Sequence, residues 1–338
     1  MGEFKFMLIK VIMFVLLAIP GYLLVKTKRL KTSDSHSIST ILLYIGLPFM
    51  ILSSTLGLTL STQTIIDIAL VTLIFVLAEI ALSLISKVFT KTNMFGGVVG
   101  KQVCNNEALD NETITKQKNM ARFCMMFPNN GFIGIPLAAA LFPIGHPLFA
   151  VVAYSGVLNV LTNVTWPTYG SYMVTGDKNH ISAKGLFTNF VLIAFILGVI
   201  LNLLDVAVKV PEILEYSNHF KGIVVALAMT VLGMKFADIQ ITKLFKSMKT
   251  YFLSFVRLII SPVLVVGVLL IIRLFAYISD EVIIASFIAF AMPTAAMAPT
   301  IADKFKIDSE DSVLYTLGST LFSVITIPVL YLLLNLVI

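Results

Sequence analysis

Apolar residues run along this chain in blocks of about 20, the length that carries an α-helix across the hydrocarbon layer of a bilayer. Polar residues gather between the blocks. The pattern predicts ten spans, roughly Phe6–Val25, Ser37–Leu56, Ile65–Ser86, Met120–Phe142, Leu148–Val174, Leu186–Leu204, Ile213–Ala237, Tyr251–Tyr277, Glu281–Asp303 and Ser312–Ile338. Two of these blocks contain residues that a plain lipid-facing helix avoids. The fourth holds Phe127-Pro128-Asn129-Asn130-Gly131-Phe132-Ile133-Gly134-Ile135-Pro136, and the ninth holds Phe290-Ala291-Met292-Pro293-Thr294-Ala295-Ala296-Met297-Ala298-Pro299-Thr300. Prolines and glycines there free backbone groups that something other than lipid has to satisfy.

Composition agrees with the block pattern. Of 338 residues, 58% are hydrophobic and 12% charged, with a mean hydropathy of +0.97; soluble domains carry about twice that share of charge. The fold class expected is therefore an all-α polytopic membrane protein. The net charge of +6 lies in the connections, so it reports topology and not a nucleic-acid footprint. Lys26, Lys28, Arg29 and Lys31 occupy the first connection, and Lys87, Lys91, Lys101, Lys116 and Lys118 the third, with Arg122 just beyond. Lys178 and Lys184 come in the fifth, Lys243, Lys246 and Lys249 in the seventh, and Lys304 and Lys306 in the ninth. Among the alternate connections, the second and fourth carry no Lys or Arg, and the sixth has Lys209. The positive-inside rule then places both termini outside a cell (plasma) membrane. The first apolar block is too long for a signal-peptide h-region and lacks a small-x-small cleavage site, so it counts as a span. The third connection, 89–119, is long enough to be a mobile loop or to carry a short surface helix.

Ten spans divide into two sets of five, and because five is odd the second set enters the membrane in the opposite sense. An inverted repeat is expected, 1–174 and 186–338, with broken, crossing helices four and nine. Phe127-Pro128-Asn129 matches Met292-Pro293-Thr294. Spans five and ten align without gaps, placing Tyr154 over Tyr315, Ser155 over Thr316, Asn159 over Thr320, Thr162 over Ser323, Thr165 over Thr326 and Pro167 over Pro328.

The chemistry is expected at the breaks. Pro128 cannot donate a backbone hydrogen bond, so the helix ends near Phe127; Asn129 and Asn130 stand where the next half-helix wants an N-cap. Pro293 does the same in span nine, with Thr294 as the cap. Crossing at mid-membrane, the two breaks bring two helix N-termini together, an anion site without a buried cation. Paired breaks in corresponding halves are the sequence pointer to a transporter site; a kink that only shapes the bundle is the plainer reading.

The run Pro128 to Leu137 resembles the fourth-helix signature of the auxin efflux carrier family, the bacterial relatives of plant PIN proteins. Gly46-Leu47-Pro48, Asn159, Leu232-Gly233-Met234 and Ala291-Met292-Pro293 extend the resemblance over essentially the whole chain. It implies ten helices in two inverted repeats, with helices one, two, six and seven as a scaffold and the rest as a transport domain moving in an elevator-like cycle. It also implies organic-anion substrates such as malate, malonate or auxin. By position, Asn129, Asn130, Gly131, Thr294, Ala295 and Asn159 become the substrate-binding candidates, with Pro128 and Pro293 as the helix breaks. The chain departs from the family at Asn189-Phe190, where Asn-Pro is common, and at Thr294-Ala295, where the plant carriers have Gln-Gly; the second departure argues against an aromatic ligand.

Charges inside spans are functional candidates by default. Glu79 in span three and Arg257 in span eight lie at a similar depth, about 10 Å from their cytoplasmic ends at the helical rise. Their depths allow them to pair; the plainer readings are a structural ion pair or two residues that reach water separately, and the functional one is Glu79 taking up a proton in a transport cycle as Arg257 moves away. Lys10 and Lys221 are expected to snorkel to the outer interface. Cys104 and Cys124 read as ordinary thiols, and His36, His146, His180 and His219 lack ligand spacing. No metal, cofactor or nucleic acid is expected. The partners expected are a small organic anion and the lipid bilayer, with a proton or sodium ion for coupling and a second copy of the chain as a homodimer. The competing readings are a cation/proton antiporter or sodium-coupled carrier of similar crossed-helix fold, and an intramembrane enzyme. The first lacks carboxylates at the breaks, and the second lacks a nucleophile-base pair within the spans.

Overall fold

The computed structural model describes residues 9, 12–13, 16–91, 103–104, 107–108, 111–143, 145–180, 190–237, 241–307 and 309–338. Lys10, Lys101, Lys184, Asn189 and parts of the first predicted span and of the third connection lie outside the described residues. Helices dominate: α1 is Ile19–Lys26, α2 Thr32–Leu56, α3 Thr62–Phe89, α4 Asn111–Met126, α5 Asn130–Leu141 and α6 Ala150–Thr165. They continue with α7 Phe190–Leu203, α8 Pro211–Phe236, α9 Met248–Arg273, α10 Asp280–Ala291, α11 Ala298–Lys304 and α12 Ser309–Asn335. Val103–Cys104 and Glu107–Ala108 form a short antiparallel pair between α3 and α4.

Proline places the irregularities. A widened π-turn ends two residues before Pro48 in α2 (Leu42–Gly46), before Pro136 in α5 (Asn130–Gly134) and before Pro262 in α9 (Val256–Ile260). The proline lacks the N–H that would close a regular turn, and the chain relaxes by widening the one before it. The π-turn of α9 contains Arg257.

The helices pack in two groups. In one, α8 lies against α1 and α2, and α2 against α7. Glycine makes these approaches possible: a Cβ on Gly21 or Gly233 would strike the backbone at Thr230 or Ala18, and one on Gly198 would strike the Thr55 side chain. In the other group, α6 packs on α3, α5 and α10, and α12 on α9 and α11. Here α10 is apolar on every side, and its residues from Val282 through Ala291 are all buried, as expected of a helix in the interior of the bundle. The outward faces of α3, α7, α8 and α9 remain apolar; Leu84, for example, is 63% exposed. A belt of this kind fits hydrocarbon surroundings. The chain is a multi-pass membrane protein.

Several boundaries shift from the sequence expectation. The fourth span is preceded by helix: α4 begins at Asn111, nine residues before Met120, because Asn111 to Asn119 is polar but helix-compatible and continues the same cylinder. Spans four and nine each divide into two helices, α4 and α5, and α10 and α11.

Candidate functional site

The two divisions meet. Pro128 and Thr294 lie opposite one another as an isolated antiparallel bridge. Asn129 N–H donates to the Pro293 carbonyl at 2.8 Å, and Ala295 N–H to the Phe127 carbonyl at 2.9 Å. Proline forces this: residues before it are pushed out of the helical region, and Met292 is extended at ψ 147°. Each break thus exposes peptide groups, and the partner break pairs them.

Arg257, 0% exposed, holds the ends of both incoming helices. Its Nε donates to the Met292 carbonyl at 2.9 Å; Nη1 donates to Met126 at 3.0 Å and Met125 at 3.3 Å; Nη2 donates to Phe290 at 3.2 Å and Ala289 at 3.4 Å. A helix C-terminus leaves carbonyls unsatisfied and carries a partial negative charge. A planar guanidinium can serve two such ends at once. The expectation of an anion site without a buried cation is therefore corrected, since a cation sits at the crossing with its donors directed at backbone carbonyls. Of the readings open for Glu79, the ion pair with Arg257 is not the one found: no ion pair joins the two among the described residues, because the guanidinium has turned to the helix ends. Glu79 is 6% exposed, and neither carboxylate oxygen has a hydrogen-bond partner. It borders a cavity of about 330 Å³ lined also by Ser83, Thr165 and Tyr169.

The start of α5 is at the crossing itself. Asn129 holds the N-cap position, but its side chain makes no capping bond; its carbonyl instead accepts from Ile133 and Gly134 N–H. Asn130 is 2% exposed and donates through Nδ2 to Thr162 Oγ1 at 3.3 Å, while its Oδ1 has no partner. Asn159, also 2% exposed, faces Gly131, where an added Cβ would come within 3.2 Å of its Oδ1; its Nδ2 has no partner. Gly131, Asn130 and Asn159 thus come together.

Thr294 does not cap the second half-helix. Its Oγ1 donates to the Cys124 carbonyl at 2.9 Å and its N–H to Ser319 Oγ at 3.1 Å, so it ties α4 and α12 to the break. The next helix, α11, begins only at Ala298, whose N–H donates back to the Ala295 carbonyl. Ala295 and a turn therefore separate its N-terminus from the crossing. The two breaks correspond in sequence, but the chain leaves them by different routes.

Other residues emerge that the sequence left aside. Asp67, buried in the second turn of α3, accepts from Gln63, Tyr154 and Ser279 at 2.8, 3.1 and 2.8 Å and so links α3, α6 and the start of α10. It borders a polar cavity of about 420 Å³ at the end of the bundle near Gly57 and Gly145. A carboxylate within a predicted span was the signal for it, as it was for Glu79. At the other end a cavity of about 460 Å³ is lined by Thr32, Lys235, Lys243, Pro299, Glu310 and Thr316. Between the groups lies an apolar cavity of about 240 Å³, where Ile133 and Leu137 of α5 face Met229, Leu232 and Gly233 of α8. Lys221 does not snorkel: its Nζ is buried without a hydrogen-bond partner, 5.1 Å from the centre of the Phe149 ring.

Compared with known families, residues 178–331 match the membrane transport protein model, which is the auxin efflux carrier domain. No curated protein sequence matches the chain.

Proposed function

We propose, from the match of residues 178–331 to the membrane transport protein family, a family of transporters and not of enzymes, that this chain is a secondary transporter of small organic anions, carboxylates such as malate or malonate, working by elevator-like alternating access. One observation carries the substrate class. At the crossing the buried amides Asn130 and Asn159 keep an Oδ1 and an Nδ2 open beside the first turn of α5, whose leading N–H groups favour an anion. The charge built into the crossing, on Arg257, is positive. Asn129, Asn130, Gly131 and Asn159 form the substrate side, and Thr294 and Ala295 the strut that holds it.

Packing of α1, α2, α7 and α8 into one group, and of the remaining helices around α6 and α12 into another, suits a scaffold and a moving domain. The inverted repeats 1–174 and 186–338 are supported by the paired breaks at Pro128 and Pro293. The lysine distribution puts the Lys235–Lys243 end in the cytoplasm and both termini outside a plasma membrane. Coupling to a proton or sodium ion, with Glu79 as the coupling residue near Arg257, rests on the open Glu79 carboxylate. That same carboxylate is what favours the second reading, a cation/proton antiporter.

Reconstitution in liposomes separates them. Labelled malate or malonate is expected to enter under an imposed proton or sodium gradient. Asn130→Ala is expected to raise KM about tenfold, the loss of roughly one hydrogen bond to a charged ligand. Glu79→Gln is expected to remove the dependence on the coupling gradient. Cation exchange without uptake of any carboxylate would establish the antiporter instead.

A further inference from the structure

Scaffold helix α8 carries two lysines inside the bundle, and the crossing does not stand midway between them. Fourteen residues separate Lys221 from Lys235. At 3.6 residues per turn they lie within about 40° of the same helix face and about 21 Å apart along the axis. Both are turned to the other helix group. Lys235 borders the 460 Å³ cavity with Ala296, Pro299 and Thr316; Lys221 rests on Phe149, just before α6. The stripe between them, Val224, Ala228 and Val231, is apolar and buried.

The cavity at Lys235 is polar in a specific way. Lys243 is held there by Glu310 at 2.5 Å, which leaves the Lys235 ammonium with no ion-pair partner among the described residues. Across the cavity, Thr316 is 5% exposed and its Oγ1 has no hydrogen-bond partner. At the other position the Lys221 Nζ likewise lacks a hydrogen-bond partner although it is buried. A buried ammonium without an anion is costly, and a ring face compensates only in part. The first turns of α5 stand beside Met229–Phe236, so in this conformation the crossing is near Lys235 and about two turns of α8 from Lys221.

We propose that Lys235 and Lys221 are two alternating counter-charges for one moving carboxylate, Lys235 binding it in the conformation described and Lys221 in the opposite one. The inference rests on the carboxylate-transporter reading. Arg257 cannot serve this purpose, because its donors are engaged by the carbonyls of α4 and α10. The apolar stripe between the lysines keeps the anion from stopping midway, since no cation waits there.

The test compares initial rates of labelled malonate transport from the two faces, in right-side-out and everted membrane vesicles. Lys235→Met is expected to raise KM about tenfold at the face bearing Lys243, the loss of one charge-assisted hydrogen bond, and to leave the opposite face within about twofold. Lys221→Met is expected to do the reverse, and arginine at either position to restore KM. Lys221→Gln and Lys235→Gln serve where a methionine variant does not reach the membrane. Equal KM shifts at both faces, or unchanged KM in active variants, would overturn the inference and leave the transporter reading intact. Absence of carboxylate transport by the unaltered protein would overturn both.

Discussion

At the scale of the residue, Arg257 determines how two helices can end inside a membrane. The carbonyls of Met125, Met126, Ala289, Phe290 and Met292 have no water to turn to, and one guanidinium reaches them all. Removing it leaves several buried acceptors unpaired, each costing about 1–3 kcal/mol. Arg257→Met is therefore expected to destabilise the protein by about 3 kcal/mol or more, read as a lower melting midpoint in detergent. Arg257→Lys should recover only part of the loss, because an ammonium is a point charge and not a fork. Unchanged melting of the methionine variant would mean that the breaks hold themselves together. The sequence marked Arg257 as exceptional by placing a charge in a span, but it suggested Glu79 as the partner. Carbonyl ends are invisible in the order of side chains, which is why the actual acceptors were missed.

At the scale of the element, the closeness of α1 and α8 depends on residues with no side chain. Gly21 faces the Thr230 carbonyl, and Gly233 faces that of Ala18. Gly233→Leu is expected to push α1 away and destabilise by about 1–3 kcal/mol or more. Gly267→Leu, on α9 with nothing within 4 Å of its Cβ position, is the control and should melt like the unaltered protein. Breaks at Pro128 and Pro293 were legible for the converse reason, because proline acts through its own covalent structure. The path of the chain beyond each break was not legible. Asn130 starts a helix at once, whereas Ala298 starts one only after a turn. The difference is set by Thr294, whose hydrogen bonds to Cys124 and Ser319 hold it away from a capping position.

At the scale of the whole molecule, the cavity between Leu137 and Met229 is the seam along which one group would slide on the other. Cysteines at Leu137 and Met229, joined by a short bifunctional thiol reagent, are expected to stop transport, measured as malonate flux in proteoliposomes. Cysteines at Ser53 and Asn218, hydrogen-bonded at 2.6 Å within the α2–α8 group, should tolerate the same link. Transport surviving the first link would exclude sliding at this seam.

The sequence by itself determined the apolar blocks, the two breaks and the residue types offered at them, because hydropathy and proline act locally and need no neighbour. Tertiary structure alone decided which groups those residues satisfy. Arg257 turned to two helix ends that lie far apart in sequence, Glu79 and Lys221 were left open, and Asn130 was brought to Asn159 and Thr162. The reason is physical: in a low-dielectric interior each polar group must find its partner among groups folded against it. Hydropathy along a chain says where water is absent, and only packing says what replaces it.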